Sequence, residues 1–79
     1  MTQIQIGVDC SFTPNGNIRV KRVQLNGRWQ AVEQGRQWVD GNGRHVHIML
    51  PGQQACEIIL RPDTLVWEMK SPRNKSIIV

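Results

Sequence analysis

Residues 18–31, with the sequence IRVKRVQLNGRWQA, decide the predicted fold because they combine alternating apolar residues with a strong turn signal. The apolar residues before Lys21 and those after Arg22 have opposite parity along an extended chain. One extra residue at this point would return all of them to a single face, which is the pattern of a β-bulge. The Asn-Gly pair that follows is typical of a β-hairpin. We therefore predict two antiparallel strands with a bulge in the first.

The pairing register of this hairpin has two alternatives. A two-residue turn would place Leu25 opposite Arg28, which mixes apolar and polar residues on one face. A three-residue loop with Gly27 in the left-handed conformation would instead place Val23 opposite Trp29. We prefer the three-residue loop, because it pairs two large apolar side chains.

The same period-2 alternation, cut by Gly, Pro, Asn and Asp residues, continues along the rest of the chain. In the last segment, Leu65, Trp67 and Met69 share one predicted face. No segment has the periodicity of a helix. The fold class is therefore all-β, with about six to seven short strands, and a small antiparallel SH3-like barrel is favoured because closure removes exposed sheet edges. The further strands are predicted at residues 3–10, 36–40, 45–50, 55–60 and 65–70.

Size and composition limit the domain organisation. The 79 residues make one domain, residues 1–79, in which residues 71–79 form an extra edge strand or a docked tail. A chain this short buries a modest share of its surface, so a homodimer would reinforce it. With 39% hydrophobic residues and no apolar leader or membrane-length segment, we expect a soluble cytoplasmic protein without membrane contact.

Three segments of the sequence each carry a tryptophan on a predicted strand. They are an R-W hairpin, a second tryptophan strand and a W-x-M strand: Leu25, Asn26, Gly27, Arg28 and Trp29; Arg36 and Trp38; Trp67 and Met69. A fourth segment, without a tryptophan, contributes Glu57, Ile58 and Leu60. On these segments, residues 20–69 resemble small bacterial all-β proteins of unknown function. The resemblance implies a small SH3-like barrel and no catalytic residue, binding residue or cofactor.

The cysteines and histidines have structural interpretations and chemical alternatives. Cys10 and Cys56 are too few for a disulfide framework, so we expect small buried apolar residues, with a single bridge as the alternative. His45 and His47 are two apart on one strand, so both rings share a face. We expect that face to be polar and exposed, with a pair of metal ligands or a pH-sensitive interface as the alternatives. Two histidines alone do not complete a metal site, so no metal is predicted.

A cluster of basic residues is the strongest functional signal. Arg19, Lys21, Arg22 and Arg28 lie within ten residues that contain no acid, and the formal net charge is +4. If the bulge forms, the first three side chains point to solvent from one strand. Trp29 follows Arg28 directly in the sequence. The tryptophans either pack in the core or line a recognition groove. A basic strand face is a common way to follow a phosphate backbone, and equally a common solvated edge.

The function classes follow from what the motifs contain. The acidic residues are scattered, and no serine nucleophile with a neighbouring base and no Gly-rich phosphate loop is present. We therefore predict a non-enzymatic binding module with no cofactor. Nucleic acid is the first predicted partner, contacted by Arg19, Lys21, Arg22, Arg28 and Trp29. The alternative, nearly as strong, is another protein bound by the tryptophan strands or a sheet edge.

Overall fold

A computed structural model describes residues 3–70, and every regular element in that range is a β-strand. The predicted all-β class is therefore confirmed, with eight strands in place of six to seven. No helix in this range is long and apolar enough to cross a membrane. The prediction for residues 71–79 lies outside the described range. The strands are β1 (Gln3–Gln5), β2 (Gly7–Phe12), β3 (Ile18–Leu25), β4 (Arg28–Ala31), β5 (Glu33–Asp40), β6 (Gly43–Leu50), β7 (Gln54–Leu60) and β8 (Trp67–Lys70).

The strands form two antiparallel sheets. One sheet has five strands in the order β1-β8-β7-β6-β5, and the other has three in the order β2-β3-β4. The backbone ladders do not join the two sheets into a closed barrel, so the predicted SH3-like barrel is not confirmed. A two-sheet arrangement still buries one face of each sheet, which is what the alternating sequence requires.

Two extended segments pass from one sheet to the other. Ile6 alone separates β1 from β2, and its N–H donates to the carbonyl of Trp67 over 3.1 Å. Val32 alone separates β4 from β5, and its N–H donates to the carbonyl of Lys21 over 3.1 Å. Each bend therefore keeps its backbone hydrogen-bonded while the strand changes partners.

The core lies between the sheets and takes the apolar residues that alternation predicted. Both cysteines are free: Cys56 is buried in the core, and half-buried Cys10 packs against it. Burial raises the pKa of both thiols, and the charge of Asp9 raises that of Cys10 further. The cysteines therefore serve as apolar residues. The buried cluster consists of Ile18, Val20, Val23, Val46, Ile48, Leu50, Cys56, Ile58 and Met69.

The predicted bulge in β3 is confirmed. Asp9 of β2 pairs with Arg22, whereas the next residue, Cys10, pairs with Val20. Lys21 is the extra residue on β3, so the apolar residues on both sides of it reach the same core.

Two glutamines of β5 hold the sheets together beside this bulge. The Gln34 amide accepts from the N–H of Val20 at 2.7 Å and donates to the carbonyl of Ile18 at 2.8 Å. The Gln37 amide accepts from the N–H of Ile18 at 3.0 Å and donates to the same carbonyl at 2.9 Å. A register shift in β5 between the two glutamines brings both toward β3. Their side chains thus supply the partners that a neighbouring strand would give to the start of β3.

The preferred register of the first hairpin was wrong. Leu25 pairs with Arg28, so the turn contains two residues. Asn26 and Gly27 have φ values of 52° and 78°, the left-handed pair that a type I′ turn requires. The pairing of apolar Leu25 with polar Arg28, which argued against this register, costs little free energy. Leu25 is only half-buried at the end of the hairpin, and Arg28 is exposed.

The start of the last strand was also wrong. β8 begins at Trp67, and Leu65 belongs to the preceding turn with a φ of 59° and 72% of its surface exposed. The N–H of Leu65 donates to the carbonyl of Arg61 at 2.9 Å, and the N–H of Arg61 donates to the carbonyl of Val66 at 3.0 Å. These bonds extend the predicted turn and remove Leu65 from the strand.

Candidate functional site

The outward side of β3 carries the basic residues. Arg19, Lys21 and Arg22 are all exposed, while their apolar neighbours on the strand are buried. The bulge makes this possible, because it lets two consecutive residues, Lys21 and Arg22, both face solvent. Within residues 3–70, Arg19 and Lys21 form no ion pair. Two cations on this strand are therefore available to an external anion.

Trp29 lies on the same face as Arg22. The two-residue turn pairs Trp29 with Gln24, and 45% of the tryptophan surface is exposed. The guanidinium carbon of Arg22 lies 5.2 Å from the centroid of the Trp29 ring, within the range of a cation–π contact. A Cβ atom on Gly7 would lie 3.4 Å from Cη2 of Trp29, so the ring crosses the strand where β2 has no side chain. The indole is thus fixed at its edge and open to solvent.

One acid shares this face. Asp9 accepts from Nε and Nη2 of Arg22 at 3.0 and 2.9 Å, and both side chains are largely solvent-exposed. An exposed pair of this kind contributes little stability. Its effect is to orient the Arg22 guanidinium beside the Trp29 ring.

Arg28 is placed apart from the other predicted site residues. It pairs with Leu25, and cross-strand partners share a face, so Arg28 lies on the side opposite Arg22 and Trp29. It is exposed at the end of the hairpin. The structure therefore brings Arg19, Lys21, Arg22 and Trp29 to one face and leaves Arg28 at its border.

The three tryptophans have three different environments. Trp67 packs against the core, and half-buried Trp38 stacks on His45 outside the five-stranded sheet. Trp29 is the exposed one of the three. The core alternative therefore holds for Trp67, whereas for Trp29 the structure shows exposure to solvent.

An open groove of about 610 Å³ continues from the Trp29 face toward the Leu65 turn. Gly7 and Gln24 belong both to the groove and to the surroundings of Trp29. Sequence reasoning missed Gly7, Gln24 and Leu65 as site residues. The signal that would have found Gln24 was the two-residue turn, because that register places it opposite Trp29.

Comparisons with family models, curated proteins and solved structures bear on identity. No family model, curated protein or solved structure matches the chain. The resemblance of residues 20–69 to small bacterial proteins stays a prediction, and the site is interpreted from its own geometry.

The two histidines lie on the outward side of the five-stranded sheet, but only one of them is exposed. His47 is exposed, as expected, but His45 is only 3% exposed, so the prediction was wrong for His45. The ring of His45 stacks on Trp38 with 4.9 Å between centroids and 3° between planes. Its Nδ1 lies 2.6 Å from Glu57 and its Nε2 lies 2.7 Å from Asp40. These contacts satisfy both nitrogens, which allows the ring to be buried.

The polar groups around His45 form one connected set of contacts. A carboxylate only accepts hydrogen bonds, so both ring nitrogens donate when the imidazole carries two protons. The hydrogen bond from His45 is the main reason that the pKa of Asp40 is lowered. Burial opposes ionisation of Glu57, but hydrogen bonds from His45 and from Lys70, whose Nζ lies 3.2 Å away, bring its pKa below the ordinary value. We call these four residues, Asp40, His45, Glu57 and Lys70, the His45 cluster.

The same contacts bear on the metal alternative for the histidines. Nε2 of His47 lies 4.0 Å from Glu57, and the nitrogens of His45 already contact carboxylates. Among residues 3–70, no three or more His, Cys, Asp or Glu side chains are arranged to hold a metal ion. The His45 cluster is therefore described as a polar network.

Proposed function

We propose that this chain is a non-enzymatic binding module whose three-stranded sheet contacts single-stranded nucleic acid. The observation that carries the proposal is the exposed Trp29 ring, which lies beside Arg22 of β3. Arg19 and Lys21 are exposed on the same strand as Arg22. Single-strand binding sites combine an aromatic platform for a base with cations for the phosphates. Both parts lie on one face here.

The two parts have separate roles. A base stacks on Trp29, which is worth about 1–3 kcal/mol per base and tolerates any sequence. Arg19 and Lys21 contact phosphates on either side, and Arg28 extends the positive border of the face. Arg22 exchanges part of its contact with Asp9 for a phosphate, which costs little because that ion pair is exposed.

The overall charge supports the same proposal. The net charge of +4 attracts a polyanion before contact, and the register places a single acid, Asp9, on the described part of this face. We propose a cytoplasmic location as well, since two free cysteines fit a reducing compartment.

A protein partner is the second candidate, favoured by one observation. Within the described residues, β4 pairs with β3 alone, so the other edge of β4, next to Trp29, has no strand beside it. A partner strand could add there through main-chain hydrogen bonds. Binding of that kind would depend weakly on salt, whereas phosphate contacts release counterions. Salt dependence therefore separates the two candidates.

The first experiment measures binding of a fluorescein-labelled mixed-sequence DNA dodecamer by fluorescence anisotropy from low to moderate salt. Three neutralised phosphates on a single strand give a log–log slope of about −2. Trp29→Ala should weaken binding by about 5-fold to 100-fold, the range expected for one lost stacking contact. Phe12→Ala is the matched control, because Phe12 is also exposed but lies at the far end of β2.

A second pair of variants tests the cations with the same change in net charge in both members. Lys21→Ala should lower the affinity and reduce the salt slope by about 0.7. Arg36→Ala removes the same charge from the other sheet, where Arg36 lies 5.5 Å from the Trp38 ring, and should leave the slope unchanged. Absence of binding at low salt, or equal effects of these two variants, contradicts the proposal and favours a protein partner.

A further inference from the structure

The groove beside Trp29 differs chemically from the basic strand. Among residues 3–70, no charged residue lines it. Its lining includes the apolar residues Ile6 and Trp67 and three residues with side-chain amides, Gln5, Gln24 and Asn26. Within residues 3–70, none of these amides takes part in a hydrogen bond of the folded chain. They are therefore free to bond to a ligand.

The lining determines which chemical group fits. An uncharged groove gives no compensation for a carboxylate or phosphate removed from water. It does suit a flat, neutral group with donors and acceptors at its edge, because an amide side chain both donates and accepts. A nucleobase has this combination. Glutamine and asparagine pair in a bidentate manner with adenine in particular, at its N6 donor and N7 acceptor.

The groove is continuous with the proposed stacking platform. Gly7 and Gln24 line the groove, and a Cβ atom on Gly7 would lie 3.0 Å from Oε1 of Gln24 and 3.4 Å from Cη2 of Trp29. A strand whose base stacks on Trp29 thus presents its neighbouring base at the entrance of the groove.

Leu65 also lines the groove. It is a bulky residue with a φ of 59°, in the left-handed region that glycine favours, and it is 72% exposed. Backbone strain of this kind concentrates at binding sites. Its exposed side chain adds an apolar surface to the lining of the groove.

We propose that this groove receives one unstacked base of the strand that stacks on Trp29, with adenine preferred, and that the Gln24 amide hydrogen-bonds the base edge. The proposal rests on the proposed function and adds base recognition to it. The basic residues would contribute affinity for the strand, and the groove would contribute the preference for adenine.

The test compares three DNA dodecamers of thymidine that differ at one central position, carrying adenine, thymine or an abasic site. The wild-type protein should bind the adenine strand at least about fivefold more tightly than the abasic strand, the lower limit for one bidentate contact. Gln24→Met keeps the length of the side chain and removes the amide, so it should abolish that preference with the salt slope unchanged. Gln54→Met, at an exposed position on β7, is the control and should change neither.

A second variant changes the groove at a residue that does not pair with Trp29, because Gln24→Met also alters the surroundings of the Trp29 ring. Leu65→Gly suits the positive φ, so the fold should be retained, and loss of the apolar side chain from the groove lining should weaken binding of the adenine strand more than that of the abasic strand. Adenosine monophosphate added as a competitor distinguishes a site for a free nucleotide, which it would block, from a site for a base within a strand.

The outcomes separate this inference from the proposed function. Salt-dependent binding with equal affinity for the adenine and abasic strands overturns the groove proposal and leaves the proposed function standing. Retention of the adenine preference by Gln24→Met overturns the role of Gln24. Absence of binding to all three strands overturns both.

Discussion

The outward faces of the two sheets use similar residues for opposite purposes. On the five-stranded sheet, His45 lies between Asp40 and Glu57 and against Trp38, and the ring is buried. On the three-stranded sheet, a cation and a tryptophan also meet, but Trp29 stays exposed. One face satisfies its polar groups within the chain, and the other leaves them available.

The difference lies in how much water each charge retains. The Glu57 side chain is 18% exposed, whereas that of Arg22 is 52% exposed. Within the His45 cluster only His45 and Glu57 are largely buried, while the side chains of Asp40 and Lys70 are 44% and 47% exposed. A buried polar pair is costly to leave half-satisfied, so it holds one arrangement. An exposed ion pair is worth little and exchanges readily with other partners. Burial therefore fixes His45 and Glu57 as a structural pair, whereas the Trp29 face stays exposed to solvent.

The sharpest test of this comparison is removal of the buried imidazole. His45→Ala takes away the partner of Glu57 and the ring that packs on Trp38. We expect a loss of about 2–4 kcal/mol in the free energy of unfolding, because the partly buried Glu57 carboxylate loses its contact with the ring and a cavity is left against Trp38. Urea denaturation followed by tryptophan fluorescence measures it. His47→Ala, on the exposed neighbour, should cost within about 0.5 kcal/mol. Equal costs for the two variants would remove the distinction between buried and exposed histidine.

Lowering the pH should also reduce the stability contributed by the His45 cluster, by less than the removal of the imidazole. The pKa values of Asp40 and Glu57 are lowered in the folded state, so the unfolded chain takes up protons first as the pH falls. The stability that these carboxylates contribute is present above their ordinary pKa values, about 4, and is lost as the pH falls through the folded values. Urea midpoints measured between pH 6 and about pH 3 should therefore decrease toward acid.

The His45→Ala variant provides the matched comparison for acid. Its stability should depend less on pH over this interval, because the hydrogen bond from His45 contributes to lowering both pKa values. The His47→Ala variant should keep the wild-type slope. If His45→Ala keeps that slope as well, the carboxylates do not depend on the imidazole.

The smallest expected effect on stability comes from the exposed face. Asp9→Asn removes the partner of Arg22 and should change the free energy of unfolding by less than about 1 kcal/mol. The same change removes the acid of this face and frees Arg22, so oligonucleotide affinity at low salt should rise. Ser11→Asn, on the same strand without a charge change, is the control. A large loss of stability, or weaker binding, would show that Asp9 is more than a surface partner.

Much of the core could be predicted from local pattern. The change of parity around Lys21 predicted the bulge, and alternation identified Val46, Ile48 and Ile58 as core residues. These predictions succeed because one buried sheet face imposes a period of two on the sequence. The basic strand was equally visible, since a charged residue between buried ones on a strand has to face solvent.

The parts that were missed depend on contacts between distant segments. Pattern alone could not bury His45, because its partners Asp40 and Glu57 come from two neighbouring strands. Nor could it show that Gln34 and Gln37 would bond to β3. A polar residue is buried only when a specific partner is in place, and that partner is known only once the strands are paired.

The sequence by itself therefore determined an all-β chain, its bulge and an exposed basic strand, because each follows from the alternation of neighbouring residues. Tertiary structure decided how the strands divide between two sheets, which tryptophan is exposed, and that Gly7 and Gln24 adjoin Trp29. These features depend on register and on side chains that meet across strands. A shift of one residue in pairing would reverse every face, and the local pattern does not fix it at a half-buried hairpin end.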